Sequence, residues 1–308
     1  MREFKIDFNK IFGKVLIGYL AVFVVGIVMA VISGVSLDIN FSGGTKIAYS
    51  YTGEIKEADV EKIIDENIDK SYTFTQSTSL AGDTKTFEIA LSGKDAISAE
   101  TQEKLSKALS DGFKDNKIEL YNSNSVSPTI AGSFFAKSLV AVLITAVLVV
   151  IYVGIRFRKI GGVSAAITAL CALVFDVLIS FFVCVIFGLQ IDSNYIAVVL
   201  TIFGYSLNDT IVIYDRIREN ERFNPDMEIG DLVNLSVNKV MVRNIVTTVT
   251  TILAVTTIIV VAEIYGLTSL RTFAIPMVFG LVSGAVSSLF VSGPLWVIWK
   301  RYKAKKAK

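Results

Sequence analysis

VSAAITALCALVFDVLISFFVCVIF, residues Val163 to Phe187, carries one charged side chain, Asp176, among apolar and small residues. About 20 such residues, each rising 1.5 Å in a helix, cross the roughly 30 Å hydrocarbon layer of a bilayer. The stretch reads as a membrane span. Five more runs resemble it: Val15 to Val35, Phe135 to Val153, Ile191 to Tyr214, Ile245 to Ile264 and Phe273 to Trp299. Together they explain why the 308-residue chain is 53% hydrophobic with a mean hydropathy of +0.60, against about 45–50% apolar in an ordinary soluble domain. The fold class that follows is a membrane all-α bundle of six transmembrane helices.

Charge sets the expected orientation. The net charge is only +2, but its distribution is uneven. Arg2, Lys5, Lys10 and Lys14 precede the first span, and Arg156, Arg158 and Lys159 join spans two and three. Arg216, Arg218, Arg222, Lys239 and Arg243 fall between spans four and five, and residues 300–308 form a basic tail. All four segments lie on one face, which the positive-inside rule makes cytoplasmic, with both termini. The alternative for the first span is a cleavable signal peptide, but its apolar run of about 20 residues exceeds the 7 to 15 of a signal core. The expected divisions are residues 1–35, an extracytoplasmic domain over 36–134, the remaining helices over 135–299, and the tail.

Within the polar insert, Lys46 to Thr52 alternates like a strand, and Lys56 to Asn67 places Val60, Ile63 and Ile64 on one helical face. Ser71 to Leu80 and Lys85 to Leu91 read as strands joined at Gly82 and Asp83. Ser98 opens a helix to about Gly112 that buries Leu105, Ala108 and Leu109, and Lys117 to Tyr121 closes the series. The order βαββαβ is that of an α+β ferredoxin-like domain.

The chemistry available is narrow. The chain has no histidine, which removes the commonest metal ligand and neutral-pH acid/base group. The polar domain shows no phosphate loop, nucleophile constellation or metal spacing, so a binding or hinge role suits it better than catalysis, and no cofactor is expected. Cys171 and Cys184, 13 positions apart in one span, stand about 20 Å apart on a helix and cannot pair. Stripes of small residues, Gly26, Ala30 and Gly34 in span one and Gly280, Gly284 and Ser288 in span six, let helices approach closely, within this bundle or against a second membrane subunit.

Two carboxylates stand inside spans, Asp176 in the third and Asp209 in the fourth. An aspartate at a span centre costs about 2.5 to 3.5 kcal/mol, so such residues face the bundle interior and serve ion or proton paths. Tyr205, Asn208 and Asp209 give span four a polar stripe. On span five a row through Arg243, Thr247, Thr250 and Thr251, with Asn244 beside it, is expected to face span four and to give Asp209 a cationic partner in Arg243. The plainer alternatives are a boundary carboxylate that reaches water, an arginine anchor, and threonines bonded to their own helix. Asp176 has no obvious partner in sequence.

Gly204 to Asn220, GYSLNDTIVIYDRIREN, is similar to the fourth-span signature of the SecF branch of the SecD/SecF family, within the RND superfamily. Arg243 and the Asn and Thr residues after it resemble the start of that family's fifth span, and Asn40 to Thr45, NFSGGT, is similar to its DFxGGT element. Gly43 and Gly44 there permit a sharp exit from the membrane as a hinge. Two positions depart from the family pattern, Asn40 for an aspartate and Phe175 for a histidine.

The resemblance implies an accessory subunit of bacterial protein export, half of a twelve-helix assembly in the plasma membrane. Asp209 would be its proton carrier, paired with Arg243. SecD, the SecYEG channel, a YidC-type insertase and the exported unfolded polypeptide are the implied partners, with no nucleic acid. Whether sodium replaces the proton stays open. The competing readings are a stand-alone RND-like small-molecule exporter and a passive translocase scaffold.

Overall fold

The computed structural model describes residues 6–68, 72–78, 85–92, 97 and 99–306. Among them, six helices are long and apolar enough to cross a membrane. The first, α1 (Phe8–Ser33), is capped by Asp7, whose carboxylate accepts the Lys10 N–H. A short helix, α2 (Ile39–Ser42), leads into the polar domain: β1 (Gly44–Tyr51), α3 (Glu57–Asn67), β2 (Tyr72–Thr78), β3 (Lys85–Ser92), α4 (Ala99–Gly112) and β4 (Glu119–Val126). The chain returns through α5 (Pro128–Arg156), opened by the Ser127 cap and a first-turn proline. Then follow α6 (Gly162–Ile186), α7 (Ser193–Phe223) and α8 (Ile229–Tyr265). Last, α9 (Thr268–Ser287) passes through a π-helical turn, Ser288–Ser292, into α10 (Gly293–Lys306).

α6 and the α9–α10 helix form the centre of the bundle, while α1, α5 and α8 bury little of their surface. Their outward side chains, such as Val31, Leu143 and Leu253, are apolar and exposed, as lipid-facing residues are. Gly26 of the first small-residue stripe and Gly280 and Gly284 of the second close helix pairs within this chain, while Gly34 has nothing within 4 Å. Gly26 lies against the Phe182 ring, joining α1 to α6, and Gly280 against Ile202, joining α9 to α7. Cys171 and Cys184 are both free.

Two helices outrun their apolar spans. α7 continues past Tyr214 to Phe223, and α8 begins at Ile229 rather than near Ile245. The polar ends pair as an antiparallel hairpin, so hydrophobicity alone does not mark where they stop. Asn220 Nδ2 donates to Ser236 Oγ at 2.8 Å and Lys239 Nζ to Asn220 Oδ1 at 3.1 Å. The segment before α1 is stitched to the same hairpin. Ile6 N–H donates to Asn238 Oδ1 at 3.0 Å, and Phe8 N–H to Asn234 Oδ1 at 3.0 Å.

The polar domain is a four-stranded antiparallel sheet of order β2-β3-β1-β4. Alternate residues of β1, Ile47, Tyr49 and Tyr51, bury with Phe87 and Ile89 of β3 against Val60 and Ile64 of α3 and Leu105 and Leu109 of α4. The last strand differs from the expected Lys117 to Tyr121. Lys117 sits in the left-handed region at φ 45°, and pairing with β1 runs from Glu119 to Val126. Its residues, ELYNSNSV, are mostly polar and exposed at a sheet edge, so no apolar alternation announces the strand. Gly82, Asp83 and Ser98 lie outside the described residues.

Domain and bundle meet at a defined joint. Leu37 and Ile191 form a parallel bridge, with Asp38 N–H on Ile191 O at 3.1 Å and Ile191 N–H on Ser36 O at 2.9 Å. Gly43, at φ 75°, lies so close to the start of α5 that a Cβ there would come within 2.9 Å of Pro128 Cα. Glycine at 43 therefore serves both a backbone turn and a close packing contact.

Candidate functional site

Asp209 projects from α7 into the bundle, 3% exposed, and its Oδ2 is buried with no hydrogen-bond partner in the protein. The same is true of the Tyr205 hydroxyl one turn earlier, both polar side-chain atoms of Asn244 and the Thr248 hydroxyl on α8. The hairpin bonds fix how these helices face each other. With Asn220 against Ser236 and Lys239, an equal count back along α7 and forward along α8 brings Asp209 level with Thr248, Asn244 one turn toward the hairpin and Tyr205 one turn beyond. Buried polar groups are nearly always paired with protein, water or an ion. Four residues with unpaired polar atoms along one helix seam are therefore suited to a mobile proton or other small polar species.

This arrangement corrects the expected stripe on α8. The row turned inward is Val237, Met241, Asn244, Thr248 and Val255, whereas Arg243 is exposed. Among the described residues no ion pair joins Arg243 to Asp209, although Arg243 is the cation whose charge bears on that carboxylate. Thr247 donates to the carbonyls of Arg243 and Asn244, Thr250 to those of Val246 and Thr247, and Thr251 to that of Thr247. A threonine that can bond its own helix places no demand on a neighbour, so its position in sequence does not reveal which way it faces. Asn208 is exposed on the outer side of α7. Of the expected residues, then, Tyr205, Asp209 and Asn244 are turned inward with unpartnered polar atoms, Thr247 and Thr251 are half-buried and bonded to their own helix, and Asn208 and Arg243 are exposed.

Asp176, for which the sequence shows no obvious partner, has three. It is 0% exposed on α6 and accepts Ser206 Oγ at 2.7 Å, Ser283 Oγ at 2.7 Å and Ser287 Oγ at 2.9 Å. Tyr19 of α1 joins through its hydroxyl, 3.0 Å from Ser283 Oγ. Its neighbour Phe175 stacks on Tyr19 at 5.2 Å and Phe23 at 5.7 Å between ring centroids, so this chain packs α1 through aromatic contact there. Asp176 and Asp209 share no hydrogen bond. Sequence reasoning missed Ser206, Ser283, Ser287 and Thr248. The available signal was small polar residues four apart beside Gly280 and Gly284, which reads equally well as packing.

The helix end after Asp209 is tied down by ions. Asp215 pairs with Arg156 at 3.1 Å and Arg218 at 2.8 Å, and Arg301 of α10 with Glu228 at 2.6 Å. Among the described residues no group of three or more acidic or cysteine side chains is placed to hold a metal ion.

Comparison with known proteins places this architecture. The family model for the protein export membrane protein SecD/SecF, C-terminal, matches residues 105–302. The protein translocase subunit SecF of Alicyclobacillus acidocaldarius is 32% identical over 93% of this chain and 90% of its own length. The SecDF subunit of Bacillus subtilis is 32% identical over 93% of this chain but only 37% of itself. The crystal structure of the translocon-associated SecDF from Thermus thermophilus superposes with a TM-score of 0.81 at 27% identity, over 97% of this chain and 39% of that one. The chain thus spans well under half of these SecDF proteins and about nine-tenths of the Alicyclobacillus SecF subunit. It belongs to the SecD/SecF family of protein-export membrane proteins.

Proposed function

We propose that this chain is the SecF-type accessory subunit of a Sec protein translocase, and that with a SecD partner it uses the proton gradient to promote protein export. Family membership and near end-to-end similarity to SecF subunits support the first part. The observation that carries the second is the unpartnered carboxylate oxygen of Asp209, buried in the bundle at the helical level of Asn244 and Thr248, whose polar atoms are unpartnered too. A proton arriving at Asp209 removes a charge from the membrane interior, and its departure restores it. That change alters how closely α7 and α8 pack, because a charged carboxylate needs solvation that a neutral one does not.

In this reading the six helices are one half of a twelve-helix RND-type assembly, and the ferredoxin-like domain, on the extracytoplasmic side with both termini cytoplasmic, is the element that moves. The joint at Leu37, Ile191 and Gly43 passes helix motion to it. SecD supplies the second half, the SecYEG channel and a YidC-type insertase are neighbours, and the exported polypeptide is the load. The chain acts as a subunit without enzymatic chemistry of its own.

Reconstitution tests the coupling. In vesicles carrying this chain with its SecD partner and the channel, Asp209→Asn is expected to abolish stimulation of export by an imposed proton gradient while insertion and pairing persist. Export by Asp209→Asn that still rises with the gradient overturns the proton reading.

A further inference from the structure

We propose that the hydroxyl cage around Asp176 is a binding site for a small monovalent cation, sodium, separate from the Asp209 seam and independent of its role. The cage gathers five oxygens from three helices: both carboxylate oxygens of Asp176 on α6, Ser206 Oγ on α7, and Ser283 and Ser287 Oγ on α9, with hydroxyl-to-carboxylate distances of 2.7, 2.7 and 2.9 Å. Ser180 Oγ, one turn further along α6 and 0% exposed, is a neighbouring hydroxyl within reach of the Tyr195 side chain. All are hard oxygen donors of the kind that suits alkali and alkaline-earth ions.

Charge selects the ion. Each of the three serine hydroxyls is placed to donate to an ionised Asp176, which accepts and does not donate. A lone negative charge at 0% exposure inside a membrane bundle is costly unless a positive charge meets it. No lysine or arginine does so among the described residues. Along the middle of the surrounding helices the ionisable side chains are Tyr19 on α1, Tyr195, Tyr205, Asp209 and Tyr214 on α7, and Cys171 and Cys184 on α6 itself. Lys10 and Lys14 of α1, Asp215 to Arg222 of α7, Arg271 of α9 and the basic groups of α5 and α10 lie toward helix ends, about two and a half turns or more from the cage residue of their own helix where they share one. One carboxylate among neutral hydroxyls balances a single positive charge, whereas a divalent ion would leave an excess and ordinarily draws on more carboxylates or waters.

The backbone is shaped for the same purpose. A Cβ at Gly284 would stand 3.2 Å from Ser206 Oγ and 3.7 Å from Asp176 Oδ2, so the glycine keeps α9 clear of the cage. The π-helical turn begins at Ser288, directly after the last cage serine, a distortion frequent at functional sites.

The test uses the full chain in detergent or nanodiscs at constant ionic strength, replacing choline chloride stepwise by sodium or potassium chloride. Sodium is expected to raise the thermal midpoint saturably and more than potassium does, and radioactive sodium to bind one per chain. Ser283→Ala and Ser287→Ala should each raise the half-saturating sodium concentration about fivefold, the worth of one polar contact. Asp176→Asn should abolish both the shift and the binding, while Asp209→Asn leaves both intact, which separates this site from the proton carrier. Should Asp176→Asn fail to fold, radiosodium binding to the native chain and the two serine variants decide. No bound radiosodium, or equal midpoints in choline and sodium, overturns the proposal and leaves Asp176 as a protonated acid.

Discussion

Ser206 donates its hydroxyl to Asp176 at 2.7 Å from a position three residues before Asp209 on the same helix. α7 therefore works in two directions at once. One row of its residues completes the hydrogen bonding of an acid on α6, and the next row holds an acid toward α8 whose Oδ2 has no partner at all. Two carboxylates in neighbouring helices are sorted into a saturated and an unsaturated environment by which serine reaches which.

Asn244 offers the sharpest contrast between stability and activity. Its amide is buried with neither polar atom bonded to protein, and an unsatisfied buried group costs about 1–3 kcal/mol. Asn244→Leu is expected to raise resistance to unfolding in detergent by about that amount while reducing gradient-stimulated export. A variant that is both less stable and fully coupled would show that the amide is only a packing element.

Glycines in the small-residue stripes should separate by what they touch. A Cβ at Gly280 would meet Ile202 Cγ1 at 2.8 Å, whereas Gly18 and Gly132 have nothing within 4 Å. Gly280→Ala is expected to destabilise the bundle by about 1–3 kcal/mol through overpacking. Gly18→Ala and Gly132→Ala should stay within about 0.5 kcal/mol of the parent. Denaturant titration of the three variants reads the difference directly.

The end of α10 should respond to acid. The Arg301 guanidinium bonded to Glu228 at 2.6 Å holds that carboxyl below the ordinary glutamate value of 4.5, aided by the Gly230 and Asp231 amides. A carboxyl lowered on folding contributes its stability above the unfolded value and loses it as pH falls through the folded one. Hydrogen-exchange protection of residues 294–306, taken relative to the intrinsic amide rate at each pH, should therefore fall below about pH 4.5. Glu228→Gln should show the lower protection at neutral pH as well.

In the polar domain, Phe87 is the hub of the core, 1% exposed with ring centroids 5.3 Å from Tyr49, 5.6 Å from Phe74 and 5.8 Å from Tyr51. Phe87→Ala should cost about 3–5 kcal/mol. Limited proteolysis is expected to cut the domain readily while the helices remain inserted and protected.

Much of this architecture is legible in the residues because its causes are local. Runs such as Val163 to Phe187 must be spans, and Val60 with Ile64, or Leu105 with Leu109, must share a buried face. Asp176 and Asp209 stand out because charge inside such runs is expensive. Facing is harder to read. Arg243 and Asn244 are adjacent, and one step on a helix turns a side chain by about 100°, so the choice between them depends on α7 rather than on α8 alone. Ser283 and Ser287 are invisible as ligands until α9 is laid against α6, since each is one small residue in an apolar run. β4 went partly unread because an edge strand is held by backbone pairing with β1, which its polar side chains do not reveal.

The wide turn at Ser288–Ser292 fits an additional residue into one revolution, so α10 leaves the bundle rotated about 100° from the course of an unbroken α-helix. That offset directs Trp296 and Val297 inward and leaves Trp299 and Tyr302 outside. The final helix is thus threaded like a screw whose setting is one amino acid: deleting a single residue in the turn would wind it back, carry Arg301 away from Glu228, and unfasten the C-terminal end from the α7–α8 hairpin.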